Sequence, residues 1–226
     1  MSRAEIPSGD EKPGNENCFA EVPCLIYVFM ARWRPAAAEE LPKGFLYREE
    51  FLSEAEEAEL SRIFGALEFA PYDYHGYLAK RRVVRYGVSY DINTQQQHEN
   101  TPPIPEFLLS IRKRAAEAAN VVAEDLAQAM VSEYSPGTPI GWHRDAPQFG
   151  TIIGISLGSA CRLRLKPYQG AGKILSLQLE PRSIYVLGGL ARSGWEHSIP
   201  PVEQLRYSIT FRTLRSKGTA AFVRHG

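Results

Sequence analysis

Residues 141–145 read Gly141-Trp142-His143-Arg144-Asp145, and this short stretch determines how the rest of the chain is interpreted. His143 and Asp145 are separated by one residue. On a β-strand, side chains two positions apart share one face, so this imidazole and this carboxylate are expected to converge. A second histidine, His197, follows in the segment Trp195-Glu196-His197. Two histidines and one carboxylate on one face of a metal form the pattern typical of non-haem Fe(II) sites.

Other interpretations of these residues have to be weighed against a metal site. The pattern His-x-Asp alone arises often by chance, and a pair of surface polar residues is its simplest interpretation. The two histidines also suit zinc, but the motif His-Glu-x-x-His of many zinc hydrolases is absent from the sequence. Hydrolysis by a Ser-His-Asp triad is not predicted either.

The residues around the metal pattern carry a resemblance to a known family. Residues 132–145 read Ser-Glu-Tyr-Ser-Pro-Gly-Thr-Pro-Ile-Gly-Trp-His-Arg-Asp, and residues 206–212 read Arg-Tyr-Ser-Ile-Thr-Phe-Arg. In this order, with His197 between them, they resemble the AlkB family of Fe(II)/2-oxoglutarate dioxygenases. The family pattern is roughly Asn-x-Tyr-x-x-Gly-x-x-Ile-x-x-His-x-Asp, a distal His, and Arg-x-Asn-x-Thr-Phe-Arg. The resemblance covers Gly44 to Leu214 and departs at Ser132 and Ser208, where the family usually has Asn.

The resemblance implies a site with Fe(II) as the metal and with 2-oxoglutarate and O2 as co-substrates. Its metal ligands would be His143, Asp145 and His197, with no catalytic residue beyond them. Arg212 would clamp the far carboxylate of 2-oxoglutarate, since a guanidinium grips a carboxylate through two parallel hydrogen bonds. The rest of the co-substrate pocket would consist of Tyr134, Arg206 and Ser208, with Ser132 as a weaker candidate.

The function that the resemblance implies is oxidative demethylation of N-alkylated bases in DNA or RNA, with nucleic acid as the partner. Family members that repair alkylated bases often carry acidic residues just after His-x-Asp. Here that segment reads Ala146-Pro147-Gln148, which supports an alternative, a hydroxylase or demethylase of a protein or a small molecule. A second alternative is a nucleic-acid-binding module without turnover.

Residues 70–90 are rich in aromatic and basic side chains, which suit stacking on bases and contact with phosphates. A partly exposed hairpin with its tyrosines packed on the core is an equally good interpretation of the same pattern. In the AlkB family the corresponding region is a substrate-recognition lid. The resemblance therefore assigns substrate contact to Tyr74, Tyr77, Arg82 and Tyr86.

Composition limits the remaining possibilities. The 226 residues contain 26 basic and 26 acidic side chains, so no overall field attracts the chain to polyanions, although a local basic patch remains compatible with this balance. The three cysteines, Cys18, Cys24 and Cys161, form neither a disulfide framework nor a common zinc pattern, which favours a reducing, cytoplasmic location. The longest apolar run, Cys24 to Ala31, is short of the roughly 20 residues of a membrane span, so no membrane partner is expected. The oligomeric state is left open.

The order of the predicted elements indicates the fold class. The segment Ser53-Glu-Ala-Glu is a capping box before a helix with Leu60, Ile63, Phe64 and Leu67 on its buried face. Pro105 is predicted to open a second helix. After Val131 come β-rich runs at 151–157, 162–166, 174–179, 183–187 and 206–214. Helices followed by short strands predict an α+β fold, and the resemblance implies a double-stranded β-helix (jelly roll) core with supporting N-terminal helices.

The domain is predicted to occupy residues 44–226, after an N-terminal extension at residues 1–43 that is expected to be partly disordered. Three further groups are assigned on simpler grounds. Trp142 and Trp195 are each either a cavity wall or a core residue, with the core favoured, and the basic trio Arg112, Lys113 and Arg114 is predicted to be a solvated helix face. Arg162 and Arg164 share a strand face. They either line the cavity or a nucleic-acid groove, or are exposed strand charges that face solvent.

Overall fold

The computed structural model describes residues 41–74, 77–90, 97–98 and 101–215. The predicted N-terminal extension at residues 1–43 lies outside the described residues except for its last three positions. None of the helices in the described part of the chain is long and apolar enough to cross a membrane.

Three helices and thirteen strands make up the described residues. The helices are α1 (Glu54–Gly65), α2 (Glu106–Ala119) and α3 (Gly189–Ser193). The strands of the first half are β1 (Phe45–Arg48), β2 (Ala70–Tyr74), β3 (Tyr77–Gly87), β4 (Ser89–Tyr90), β5 (Gln97–His98) and β6 (Leu126–Tyr134). Those of the second half are β7 (Ile140–His143), β8 (Phe149–Leu157), β9 (Cys161–Pro167), β10 (Leu175–Leu179), β11 (Ile184–Leu187), β12 (Trp195–Ile199) and β13 (Arg206–Leu214).

Two antiparallel sheets face each other. The larger has seven strands in the order β1-β11-β8-β13-β6-β3-β2, and the smaller has four in the order β10-β9-β12-β7. A separate two-stranded sheet joins β4 and β5. Most neighbouring strands are not consecutive in the chain, as in a jelly roll, and β2–β3 and β9–β10 are the exceptions in these two sheets. The predicted α+β fold with a jelly-roll core is therefore confirmed.

The first helix forms as its sequence predicts. The Ser53 side chain accepts a hydrogen bond from the Glu56 backbone, and the Glu56 carboxylate accepts one from the Ser53 backbone. Leu60 and Phe64 are buried on the side facing the large sheet. In the second helix Pro105 is the N-cap and Glu106 the first helical residue, so the predicted start was one residue early.

Two apolar cores hold these layers together. One lies between the helices and the large sheet, where Leu108 and Ile111 of α2 meet Ile153, Ile155 and Phe211. The other lies between the two sheets and contains Ile152, Leu163, Leu165, Leu179 and Leu187. Because the large sheet is covered on both faces, its central strands β8 and β13 are almost continuously buried.

A glycine allows a close approach in the middle of β8. Gly154 pairs with Tyr185 of the neighbouring strand, and a Cβ atom placed on Gly154 would overlap the outer atoms of the Tyr185 ring. The ring occupies the space that a side chain at this position would need. Only glycine is compatible with this arrangement.

The two predicted core tryptophans differ in their surroundings. Trp195 packs against the core between the sheets, as predicted. The prediction for Trp142 is wrong, since its ring lies beside the cationic groups of Arg164 and Lys166 and belongs to neither core. Trp142 directly precedes His143 on β7, and neighbouring strand residues point to opposite faces.

Candidate metal centre

Strand pairing brings the two histidines of the predicted metal site together. His143 at the end of β7 and His197 in β12 are direct partners in the antiparallel register. Their ring centroids lie 4.3 Å apart. Asp145 follows β7, and one ligand atom from each of the three residues lies within 4.8 Å of the others. Among the described residues, no other group of three such side chains converges in this way.

The His143 ring is oriented by its own strand. Its Nδ1 atom lies 2.9 Å from the carbonyl oxygen of Gly141, which can only accept a hydrogen bond. Nδ1 therefore carries the proton, and Nε2 keeps its lone pair for a metal. Burial lowers the pKa of His143, against the opposing effect of the Asp145 charge, so the neutral ring is favoured.

Asp145 is held by a guanidinium from the opposite sheet. Arg212 of β13 contacts Asp145 Oδ1 through Nε and Nη2, both at 2.9 Å. Its Nη1 donates to Oε1 of the buried Gln128, also at 2.9 Å. Burial alone would raise the pKa of Asp145, but the charge of Arg212 outweighs burial and holds it well below the usual range. The carboxylate is therefore ionised at neutral pH.

His197 completes the site in its neutral form. Its Nε2 lies 3.5 Å from Oδ2 of Asp145, which would be an ion pair only if the ring were protonated. Burial, reinforced by the neighbouring His143, lowers the pKa of His197 to about 3. The site thus offers two neutral imidazoles and one carboxylate. This donor set fits Fe(II) and leaves coordination positions open on the far side.

Arg192 clamps the loop that carries Asp145, and the sequence analysis did not identify it. Its guanidinium is buried and donates at 2.8–3.1 Å to four backbone carbonyl oxygens, those of Asp145, Ala146, Phe149 and Gly150. Arg192 thereby connects four carbonyl groups of the partly buried segment 145–150 to α3. No local sequence signal marks Arg192 for this role, since its partners lie on a distant segment.

A second buried arginine lies between the same two sheets. Arg206 is 1% exposed, donates from Nε to Ser156 Oγ at 3.2 Å, and holds its Cζ 4.8 Å from the centre of the Tyr134 ring. Its Nη1 is buried without a hydrogen-bond partner. The hydroxyl of Ser132 is also buried and unpartnered. Two unsatisfied polar groups in one pocket require a ligand or water to complete them.

Tyr134 and Ser208, also predicted for the co-substrate pocket, adjoin this arginine. The Tyr134 hydroxyl lies 3.5 Å from Ser208 Oγ, and Ser208 pairs with Ser132 across β13 and β6. The structure thus brings Tyr134, Ser132, Ser208 and Arg206 together. Arg212, predicted to clamp the far carboxylate, is instead engaged with Asp145 and Gln128.

The segment Gly154-Ile155-Ser156-Leu157-Gly158 matches the motif Gly-x-Ser-x-Gly of serine hydrolases. In those enzymes the serine is exposed at a turn between a strand and a helix. Here Ser156 is fully buried within β8 and accepts a hydrogen bond from Arg206. The match therefore provides no nucleophile.

The residues predicted to contact substrate are not gathered at the metal. Arg82 forms an ion pair with Glu133 at 2.6 Å. Tyr86 is buried, and its ring packs edge-on against Phe107 of α2. The side chains of Tyr74 and Tyr77 lie outside the described residues, although their backbone forms the end of β2 and the start of β3.

The opposite face of β3, which carries Arg81 and Arg85, points toward the metal ligands. The sequence analysis did not assign these two residues to the site. The Cζ atoms of Arg81 and Arg85 lie 4.0 Å and 4.9 Å from the centre of the Tyr72 ring. Burial would raise the pKa of Tyr134, but the charges of Arg81 and Arg206 outweigh burial and lower it. The guanidinium of Arg81 thus acts inside the barrel. Period-two alternation is the signal that separates Arg81 and Arg85 from Arg82 and Tyr86.

Comparison with known proteins agrees with this geometry. A family model described as the 2OG-Fe(II) oxygenase superfamily matches residues 45–212. The alkB homolog 7 of Bos taurus, described as a mitochondrial alpha-ketoglutarate-dependent dioxygenase, is 32% identical over 166 residues, which cover 73% of this chain and 71% of that protein. A protein of Arabidopsis thaliana described as "Alkylated DNA repair protein ALKBH8 homolog" is 26% identical over 198 residues, which cover 76% of this chain and 56% of that protein.

The fold also matches a solved structure. The structure of OsALKBH1 superimposes with a TM-score of 0.61 at 18% sequence identity and covers 78% of this chain and 99% of that chain. At this identity the match concerns the fold alone. The chain spans about half the length of the first curated relatives that it matches.

Proposed function

The chain belongs to the 2OG-Fe(II) oxygenase superfamily and is AlkB-like, and we propose that it catalyses the oxidative demethylation of N-alkylated bases in DNA or RNA. Fe(II) would be its metal, and 2-oxoglutarate and O2 its co-substrates. The choice of nucleic acid as the substrate is more specific than the family membership.

One observation carries the proposal, the juxtaposition of the metal ligands with an unsatisfied cation. His143, Asp145 and His197 offer one face to a metal. In the same barrel the buried Nη1 of Arg206 lacks a partner. A metal with open positions and a buried guanidinium are the two groups that a 2-oxo dicarboxylate requires.

The buried groups suggest how the roles of the two arginines divide. We assign the far carboxylate of 2-oxoglutarate to Arg206, because Arg206 has an unpartnered nitrogen and the neighbouring Ser132 an unpartnered hydroxyl. Tyr134 and Ser208 would complete this end of the pocket. Arg212 would then hold Asp145 in its liganding position, through the contacts that it already makes.

The metal would supply the oxidising chemistry, in which a methyl group on nitrogen is hydroxylated while 2-oxoglutarate becomes succinate and CO2. The hydroxymethyl product then breaks its C–N bond and releases formaldehyde. The chain itself would bind the co-substrate, fix the carboxylate ligand and exclude water from the barrel. A base within a duplex would have to be flipped out to reach the site.

Two features favour nucleic acid as the substrate. The protein from Arabidopsis thaliana is described as an alkylated DNA repair protein. In addition, Arg81 and Arg85 face the metal side of β3, and no carboxylate within the described part of the chain lies at ion-pair distance from either. Uncompensated guanidinium groups beside an aromatic ring suit a phosphate and a base.

One observation favours the alternative, a protein or small-molecule substrate. The segment after Asp145 reads Ala146-Pro147-Gln148, and Ala146 packs against the core between the sheets. This segment therefore places no carboxylate where an exocyclic amine of a base would be recognised. A substrate without such an amine would not need one.

Product analysis tests the proposal. The Fe(II)-loaded protein is incubated with 2-oxoglutarate and methylated single-stranded DNA or RNA oligomers, and succinate and formaldehyde are measured. We expect both products in equal amounts, with none from His143→Ala. Arg206→Gln should raise the KM for 2-oxoglutarate by at least about tenfold, since a charge-assisted contact is lost. Arg112→Gln on α2 is the matched control and should behave as the wild type.

Two results would change the conclusion. Succinate without formaldehyde, and without stimulation by any oligomer, would leave an oxygenase whose substrate is a protein or a small molecule. No succinate under any condition, from protein shown to bind the metal, would contradict the enzymatic function itself.

A further inference from the structure

The outer face of the four-stranded sheet carries a row of cations. On β9 the side chains of Leu163 and Leu165 point into the core and are 0% and 1% exposed. Arg162, Arg164 and Lys166 alternate with them and therefore point outward. Strand residues two positions apart are separated by about 6.6 Å, so these charges form a regular line along the strand.

Aromatic rings lie among these cations. The ring of Trp142 has Arg164 Cζ 5.0 Å and Lys166 Nζ 4.8 Å from its centre. Beyond the end of β9, Arg144 holds its Cζ 3.3 Å from the centre of the Tyr168 ring, and Tyr168 is 42% exposed. Cations that rest on aromatic faces lose less side-chain freedom when they bind a ligand.

The charges of this outer face are mostly uncompensated. Lys166 pairs with Glu196 at 3.0 Å. The partners of Arg164 and Arg144 are neutral, since Arg164 donates to Ser198 Oγ and Arg144 to the Ser193 carbonyl. For Arg162 no carboxylate partner is found in the described part of the chain. The whole chain has equal numbers of basic and acidic residues, so this face is a local excess of positive charge.

The position of this face connects it to the metal centre. Trp142 and Arg144 flank the ligand His143, and β7 is the edge strand of the four-stranded sheet. A linear polymer that lies across the outer face therefore needs to cross only this edge to reach the metal side.

We propose that the outer face, formed by Trp142, Arg144, Arg162, Arg164, Lys166 and Tyr168, binds the single-stranded nucleic acid that flanks the target nucleotide. The inference rests on the proposed function, because it assumes a polynucleotide substrate. Positive charge that follows a backbone, interleaved with rings that stack on bases, is the chemistry of single-strand binding. A line of cations that follows one strand suits the repeating phosphates of a polymer, and a membrane surface is distinguished from it by the experiment below.

The test measures binding separately from turnover. The full chain, without 2-oxoglutarate, is titrated against a fluorescent, unmethylated oligothymidylate of about 20 nucleotides, and anisotropy is recorded at several salt concentrations. The variants are Arg162→Glu and Tyr168→Ala. Lys113→Glu is the matched control, since it makes the same charge change on the exposed face of α2.

We expect Arg162→Glu to raise the Kd by about tenfold or more. The slope of log Kd against log salt should fall by about 0.7, which corresponds to the loss of one phosphate contact on a single strand. Tyr168→Ala should raise the Kd about fivefold or more at every salt concentration, because stacking on a base is not screened by salt. Lys113→Glu should leave both quantities unchanged.

Three results would overturn the inference. The first is equal weakening by Arg162→Glu and Lys113→Glu, which would indicate only the overall field of the protein. The second is an unchanged Kd in Tyr168→Ala, which would indicate a general polyanion surface. The third is failure to bind the oligomer together with binding of anionic vesicles that depends on Arg162, which would identify a membrane as the partner.

The inference and the proposed function can fail independently. Demethylation of a short methylated trinucleotide without binding of the longer oligomer would contradict the binding role of the outer face and support the enzymatic function. Binding of the oligomer that depends on Arg162 and Tyr168, in a protein that produces no formaldehyde, would support the binding role of the outer face and contradict demethylation.

Discussion

Arg212 donates from Nε to Oδ1 of Asp145 at 2.9 Å, although the two residues are 67 positions apart in the chain. The contact crosses from the large sheet to the loop after β7 and fixes one oxygen of the carboxylate. The other oxygen, Oδ2, faces Nε2 of His197 at 3.5 Å. The contacts of the protein itself thereby hold the Asp145 carboxylate beside the two histidines.

Removing this support should weaken metal binding. We expect Arg212→Gln to reduce the affinity for Co(II), used in place of Fe(II), by about 10- to 100-fold, as is typical when the partner of a metal ligand is lost. The affinity of Arg212→Lys for Co(II) should lie between those of the wild type and Arg212→Gln, since lysine keeps the charge but not the two-pronged geometry. Absorbance titration measures the affinity, and circular dichroism verifies the fold. An unchanged affinity in Arg212→Gln would show that Asp145 needs no such support.

Arg192 should matter for stability more than any surface arginine. Arg192→Leu removes a buried donor from four backbone carbonyls. Those of Ala146 and Phe149 keep a second donor, but those of Asp145 and Gly150 lose the guanidinium, and we expect the free energy of unfolding to fall by about 3 kcal/mol. Arg112→Leu is the control, because Arg112 donates to the single carbonyl of Glu124 in an exposed setting, and it should cost less than about 1 kcal/mol. Urea denaturation compares the two. Equal losses would contradict the clamping role of Arg192.

The close approach at Gly154 should make this position intolerant of a side chain. We expect Gly154→Ala to lower the free energy of unfolding by about 1–3 kcal/mol, because the added methyl group meets the Tyr185 ring. Gly65→Ala, at a helix end where nothing lies within 4 Å, should be neutral or slightly stabilising. Adding Tyr185→Leu to Gly154→Ala should recover part of the loss, and failure to do so would place the strain elsewhere.

The buried histidine should make the metal-free protein sensitive to acid. The pKa of His197 is about 3 in the folded state, against an ordinary value of 6.5. Between these values the unfolded chain binds more protons than the folded chain, so stability falls as the pH is lowered from about 6.5 toward 3. Urea denaturation at a series of pH values measures this slope. His197→Gln should flatten it, and an equal slope in that variant would assign the acid sensitivity to other groups.

The sequence predicted those parts of the molecule that depend on local pattern. The capping box at Ser53 and Glu56, the buried face of α1 and the late β-rich runs all follow from spacing of a few residues, and all formed. The pairing of His143 with His197 was within reach because two short motifs resemble a family. Its register, however, is set by the sheet and not by either motif.

Local pattern does not determine the contacts between distant segments. Arg82 and Tyr86 were favoured over Arg81 and Arg85, and a shift of one residue on a strand moves a side chain to the other face. The ring of Tyr86 belongs to the core with Phe107, which only the position of α2 determines. Likewise, the position of Arg212 in a motif does not indicate that Asp145 and Gln128 occupy its guanidinium.

The register that sets His143 opposite His197 has a mechanical consequence. β7 is an edge strand joined to the sheet only through β12, and open sheet edges are where chains pair with one another. A metal bound by both histidines would cross-link the edge strand β7 to its neighbour β12. Metal binding would then stabilise the pairing of β7 with β12, because a ligand that binds only the folded state stabilises that state.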